Sequence, residues 1–140
     1  MPASSDLTLP APPLRLILHR VQAGFPSPAA DHIEEGLDLN HYLVRHRAAS
    51  FLFTVQGDSM QGAAIVDGDK VVVDRSIEPR HNHIVIAVLD GEYTIKRLYR
   101  HAGRVELRPE NPAFEPIRLA DDSQLEVWGV VVGVVRRCLA

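Results

Sequence analysis

Beyond residue 50 the chain is built from short runs of Val, Ile, Leu, Phe and Tyr, each closed by Gly, Pro, Asn or Asp. Runs of this length and make-up read as β-strands, here over residues 51–55, 70–74, 84–89, 92–98, 105–107 and 125–135. Asp90-Gly91 separates two of them and predicts a type I′ hairpin turn, whose two central residues both need positive φ. Ahead of residue 50 the pattern differs. Asp38 is placed to cap a short helix with Leu39, Tyr42 and Leu43 on its apolar side. Six of the ten prolines fall at positions 2, 10, 12, 13, 26 and 28, so this stretch sustains neither a long helix nor a central strand. Only Leu14-Arg15-Leu16-Ile17-Leu18 offers a short extended piece there. The pattern predicts a mostly β fold of antiparallel strands: a flexible N-terminal arm over 1–30 and one compact domain over 31–140.

Composition changes this picture little. A chain of 140 residues with 46% hydrophobic and 24% charged residues is an ordinary globular domain. The longest apolar stretch runs from Val127 to Val135, far short of the ~20 residues of a membrane span. The N-terminus carries no basic cluster followed by an apolar core, so no signal peptide is read. A single cysteine, Cys138, forms no internal disulfide, and a cytoplasmic setting is expected. The net charge of -3 argues against a general nucleic-acid binder, and no sequence-specific DNA contact is expected.

Two features carry candidate chemistry. Gly57-Asp58-Ser59-Met60 follows a strand, so Ser59 sits where the strand breaks into a turn. A serine there can turn its hydroxyl and neighbouring backbone N–H groups toward one point; Gly-Asp-Ser is also common turn chemistry. Lys96 lies in the strand after Asp90-Gly91, on one face with Thr94 and Leu98. Reaching solvent, it is an ordinary surface lysine. Buried, its amine loses proton affinity and becomes usable as a base near neutral pH. The histidines at 19, 32, 41, 46, 81, 83 and 101 lack metal-ligand spacing, and His81-x-His83 reads as a solvated pair. Lys96, Arg97, Arg100, Arg104 and Arg108 read as a solvated hairpin without the interleaved aromatics of a single-strand platform.

Taken in order, Gly57-Asp58-Ser59-Met60, Asp67-Gly68-Asp69 and Tyr93-Thr94-Ile95-Lys96 resemble the LexA/UmuD family of self-cleaving Ser/Lys peptidases. The spacing from Ser59 to Lys96 matches the family pattern. Upstream, the segment from Val21 to Asp31 resembles the cleavage region of UmuD-type members, and Leu37-Asp38-Leu39-Asn40 continues the likeness. The resemblance extends to the strand containing Trp128-Gly129-Val130-Val131 and covers most of the chain.

The resemblance implies a role for each of these positions. Ser59 would be the nucleophile and neutral Lys96 the general base. The backbone N–H groups of Asp58 and Ser59 would hold the oxyanion. Cleavage would fall between Ala23 and Gly24, with Val21 filling an apolar pocket and Phe25 shaping the exit of the chain. UmuD-type sites are best known with cysteine before the scissile bond; Ala23 follows the LexA-type pattern. Only about 22 proline-rich residues precede the cut, too few for the helix-turn-helix domain of a repressor, which favours the UmuD branch. By the same resemblance the protein is a homodimer that needs no cofactor or metal. A RecA filament on single-stranded DNA would act as co-protease, and the trimmed dimer would join an UmuC-type translesion polymerase. Two other classes stay open: a non-catalytic dimerisation and binding module with a peptidase-like fold, and a signal-peptidase-like enzyme acting on other proteins.

Overall fold

The computed structural model describes residues 13–29 and 33–139. They form two compact units that divide between Tyr42 and Leu43. The boundary expected between residues 30 and 31 lies outside the described residues, as does the start of the arm.

In the first unit, β1 (Leu14–Ile17) pairs antiparallel with β2 (Glu34–Leu37), from Leu14 opposite Leu37 to Ile17 opposite Glu34. The Leu18 amide extends the ladder to the Ile33 carbonyl at 2.8 Å. The strand expected near Leu14 is therefore present, and its partner explains why Glu34–Leu37 belongs with the N-terminal segment. Leu37 is followed by α1 (Leu39–Leu43). Its cap is the one read from the sequence: an Asp38 side-chain oxygen accepts from the Asn40 amide at 2.9 Å.

The second unit is one seven-stranded antiparallel sheet: β3 (Ser50–Thr54), β4 (Lys70–Asp74), β5 (Ile84–Leu89), β6 (Glu92–His101), β7 (Arg104–Arg108), β8 (Ile117–Leu119) and β9 (Val127–Val135), in the order β3-β4-β9-β5-β6-β7-β8. The chain belongs to the mostly β class that the pattern predicts. β8 was not expected: Ile117-Arg118-Leu119 holds a single β-branched residue, and its extended state comes from pairing with β7. The central strand β5 shows why the apolar runs are continuous rather than alternating. Ile84 and Ile86 pack with Met60, Ile65, Val71 and Val73, while Val85 and Ala87 pack on the other face with Leu98, Leu107 and Val130. Both faces are covered, so both parities are apolar.

The β5–β6 connection is the expected two-residue turn, with Asp90 at φ 50° and Gly91 at φ 80°. A second turn of this kind, Ala102-Gly103, joins β6 to β7. β7 ends opposite Arg97, so β6 from Glu92 to Lys96 pairs with β5 alone. That half-covered stretch of β6 carries Lys96. Among the described residues, no helix is long and apolar enough to cross a membrane.

Candidate active site

Ser59 is placed by a loop anchored at both ends. As β3 ends, the Val55 amide donates to the Asp69 carbonyl and the Gly68 amide donates to the Val55 carbonyl, both at 2.8 Å. The Gly57 amide then donates to Asp67 Oδ1 at 2.7 Å. Thus the Asp67-Gly68-Asp69 turn is the brace of the Ser59 loop. Asp69 is itself buried and gripped by Arg136, whose Nε and one terminal nitrogen each lie 2.7 Å from a different carboxylate oxygen. That contact outweighs the cost of burial and holds the Asp69 pKa down at about 2. Immediately after Ser59, Met60 is 1% exposed and packs into the core with Val55, Ile65 and Ile86. An anchored Met60 leaves the half-buried Ser59 little freedom to turn away.

The other side of the loop is clamped by the connection from β7 to β8. The Glu110 amide donates to the Ser59 carbonyl and the Gly62 amide donates to the Glu110 carbonyl, both at 2.7 Å. Asn111 Nδ2 donates to the Asp58 carbonyl at 2.9 Å. The approach is close enough that a Cβ on Gly62 would stand 2.5 Å from the Glu110 carbonyl oxygen, so only glycine fits. Among the described residues, the amides of Asp58 and Ser59 donate to no protein acceptor.

Lys96 reaches this loop from β6. It is 8% exposed, and its Nζ lies 3.2 Å from Ser59 Oγ, 2.9 Å from Thr94 Oγ1 and 3.0 Å from the Ile95 carbonyl oxygen. Burial lowers its pKa below the usual 10.5, and among the described residues no carboxylate pairs with it to restore the charge. All three partners are oxygens that accept from an ammonium, and they serve the neutral amine as well. Two N–H bonds can go to Thr94 and Ile95, which leaves the lone pair facing the Ser59 hydroxyl.

The structure therefore brings Ser59, Lys96 and Asp58 together. Val21, Ala23, Gly24 and Phe25 belong to the first unit, where all four are exposed, Val21 and Phe25 at 92% each. The histidine pair has structural partners: His81 Nδ1 accepts from the Arg100 amide and His83 Nδ1 from the Arg80 amide, both at 3.0 Å. The basic group is largely paired: Arg97 with Glu110 at 2.7 Å, Arg100 with Asp122 at 3.0 Å, and Arg104 and Arg108 with Glu106 at 2.7 and 2.9 Å. A cavity of about 480 Å³ opens beside the Ala102-Gly103 turn, lined by Arg100, Arg104 and Asp121 among others and away from Lys96. Sequence reading assigned no role to Glu110 and Asn111. The only local signal for them is the Asn111-Pro112 dipeptide, a turn marker that says nothing of what the turn touches.

A mostly antiparallel β domain in which a serine faces a buried lysine fits the Peptidase S24-like class, and that family matches residues 15–132. Individual relatives define the branch. The chain is similar to Protein ImpA of Salmonella typhimurium and of Escherichia coli, 44% identical over 128 residues, which is 87% of this chain and 83% of theirs. It is similar to Protein SamA of Salmonella typhimurium strain LT2, 43% identical over 122 residues and 84% of that protein. The LexA repressor of Bordetella avium is 41% identical over 132 residues, 94% of this chain but 59% of the repressor. The chain belongs to the LexA/UmuD family of SOS-related peptidases.

Proposed function

We propose that this protein cleaves itself between Ala23 and Gly24 with Ser59 as nucleophile and Lys96 as general base. The observation that carries the reading is the buried Lys96 amine, 3.2 Å from Ser59 Oγ and, among the described residues, with no counter-charge beside it. Neutral Lys96 takes the Ser59 hydroxyl proton as Oγ attacks the Ala23 carbonyl carbon. The tetrahedral oxyanion accepts from the amides of Asp58 and Ser59. Collapse breaks the Ala23–Gly24 bond, and the protonated lysine returns its proton to the departing Gly24 nitrogen. Water, deprotonated by the same amine, then hydrolyses the Ser59 ester, releasing the Ala23 carboxylate and restoring the enzyme. Val21 and Phe25, both free of packing in their own unit, flank the bond and serve as its recognition side chains. The exposed small residues at Ala23-Gly24 let the carbonyl be approached without steric hindrance.

The biological setting follows the family. The chain forms a homodimer, a RecA filament on single-stranded DNA accelerates the cut by favouring the docked arm, and the trimmed dimer serves an UmuC-type polymerase in translesion synthesis. Support comes from the likeness to ImpA and SamA across more than four-fifths of their lengths. The test is the intact mass of purified protein held between pH 7 and about pH 10, with and without RecA, single-stranded DNA and ATP. A product beginning at Gly24, rising with pH or with filament and absent from Ser59→Ala and Lys96→Ala, is expected. A chain that stays whole throughout would replace this reading with a non-catalytic dimerisation and binding module.

A further inference from the structure

The connection from β7 to β8 does more than close the sheet. The Asn111 amide makes two contacts of opposite sense: Nδ2 donates to the Asp58 carbonyl at 2.9 Å and Oδ1 accepts from the Ala113 amide at 3.0 Å. Each contact fixes which way the side-chain amide faces. One residue earlier, the Glu110 amide holds the Ser59 carbonyl at 2.7 Å. Two successive peptide carbonyls, those of Asp58 and Ser59, are therefore drawn toward the same short segment. In a planar trans peptide the carbonyl and the following N–H point in opposite directions. Fixing the Asp58 carbonyl on Asn111 accordingly aims the Ser59 N–H away from this segment, where it has no acceptor among the described residues. The bracket also reaches the other half of the site. The Glu110 carboxylate accepts from Arg97 Nε at 2.7 Å, and Arg97 is the strand neighbour of Lys96.

We propose that Glu110 and Asn111 are positioning residues: they orient the Ser59 amide as an oxyanion donor and tie it, through Arg97, to the strand carrying Lys96. The inference rests on the Ser59/Lys96 reading above and deepens it. Neither residue touches the reacting atoms; Asn111 acts through the Asp58 peptide and Glu110 through Ser59, Gly62 and Arg97.

The test replaces Asn111 in the full-length chain. Asn111→Asp preserves size and the contact to the Ala113 amide but has no N–H for the Asp58 carbonyl, and Asn111→Ala removes the side chain without adding charge. Asn111 is half-exposed, so both are expected to fold, with melting temperatures close to that of the parent. Self-cleavage is followed by intact mass from pH 7 to about pH 10, alongside covalent labelling of Ser59 by a fluorophosphonate. Losing the alignment of one oxyanion donor is expected to lower the plateau rate roughly 10–100-fold and to slow labelling in parallel. In Asn111→Ala the midpoint of the pH–rate profile should stay where it is, since Lys96 keeps its three partners and no charge is added. A general loosening of the fold would instead lower the melting temperature and disturb that midpoint. A folded variant that cleaves and labels within about twofold of the parent overturns the bracket while leaving the Ser/Lys reading intact. A parent chain that neither cleaves nor labels overturns that reading, and the bracket with it.

Discussion

Removing the Lys96 amine tests the site through stability as well as activity. Consider Lys96→Met, which preserves chain length and apolar stem and deletes the titrating group. In the folded protein burial lowers the lysine pKa from its usual 10.5, whereas in the unfolded chain the value is restored. Between these two pH values the unfolded state holds a proton that the folded state has released. Stability therefore rises with pH across that window, by up to about 1.36 kcal/mol per pH unit for one full proton. Below the folded value the penalty for burying the ammonium is fully present; above 10.5 it is gone. Lys96→Met lacks this contribution at every pH. Hydrogen bonds lost to Thr94 and Ile95 shift its stability by a roughly constant amount, so the slope difference isolates the titration. The assay is urea unfolding from pH 6 to about pH 11 of both chains in a Ser59→Ala background, which prevents cutting during the measurement. The parent is expected to gain on the variant as pH rises, and the gain should begin near the midpoint of the self-cleavage profile of the intact chain. Parallel stability profiles would make Lys96 an ordinary solvated ammonium and remove it as the base.

Three further outcomes are expected. Asp69→Asn turns a donor toward either Arg136 or the Val66 amide, both of which now donate to carboxylate oxygens, and should cost about 2–4 kcal/mol in urea unfolding. Because the Asp69 pKa is held down at about 2 from 3.8, the parent's share of stability from this carboxylate is complete above about pH 4. It is lost as pH falls toward 2, so acid titration of the variant should lack that step. Gly62→Ala forces a methyl group to 2.5 Å from the Glu110 carbonyl and should destabilise the chain by about 1–3 kcal/mol while slowing self-cleavage, read by thermal melting and intact mass.

Local pattern was enough for much of the sheet. Lys70–Asp74 and Ile84–Leu89 form strands over the residues expected, and Asp90-Gly91 makes its turn, because β-branched runs and a positive-φ dipeptide act within a few residues of themselves. Glu34–Leu37 forms a strand despite containing neither a β-branched nor an aromatic residue, since its conformation comes from pairing with Leu14–Ile17. Ile117–Leu119 likewise owes its state to the β7 edge beside it.

The same division runs through the site. Ser59 and Lys96 were legible as candidates, the serine from its place after a strand and the lysine from its place within one, and family resemblance joined them. Period-two alternation assigns Lys96 a face of β6 but not what covers that face. Burial came from the tertiary structure: β7 stops at Arg108, and the loop fastened to Asp67, Met60 and Glu110 brings Ser59 to 3.2 Å from the amine. Asn111 had no legible role because its partner, the Asp58 carbonyl, is 53 residues away in the chain. Residue type and spacing determine strands, turns and the reagents available for chemistry. The protonation of a lysine and the aim of an amide depend on dielectric and contacts supplied by segments distant in sequence, which only the folded sheet brings within hydrogen-bonding range.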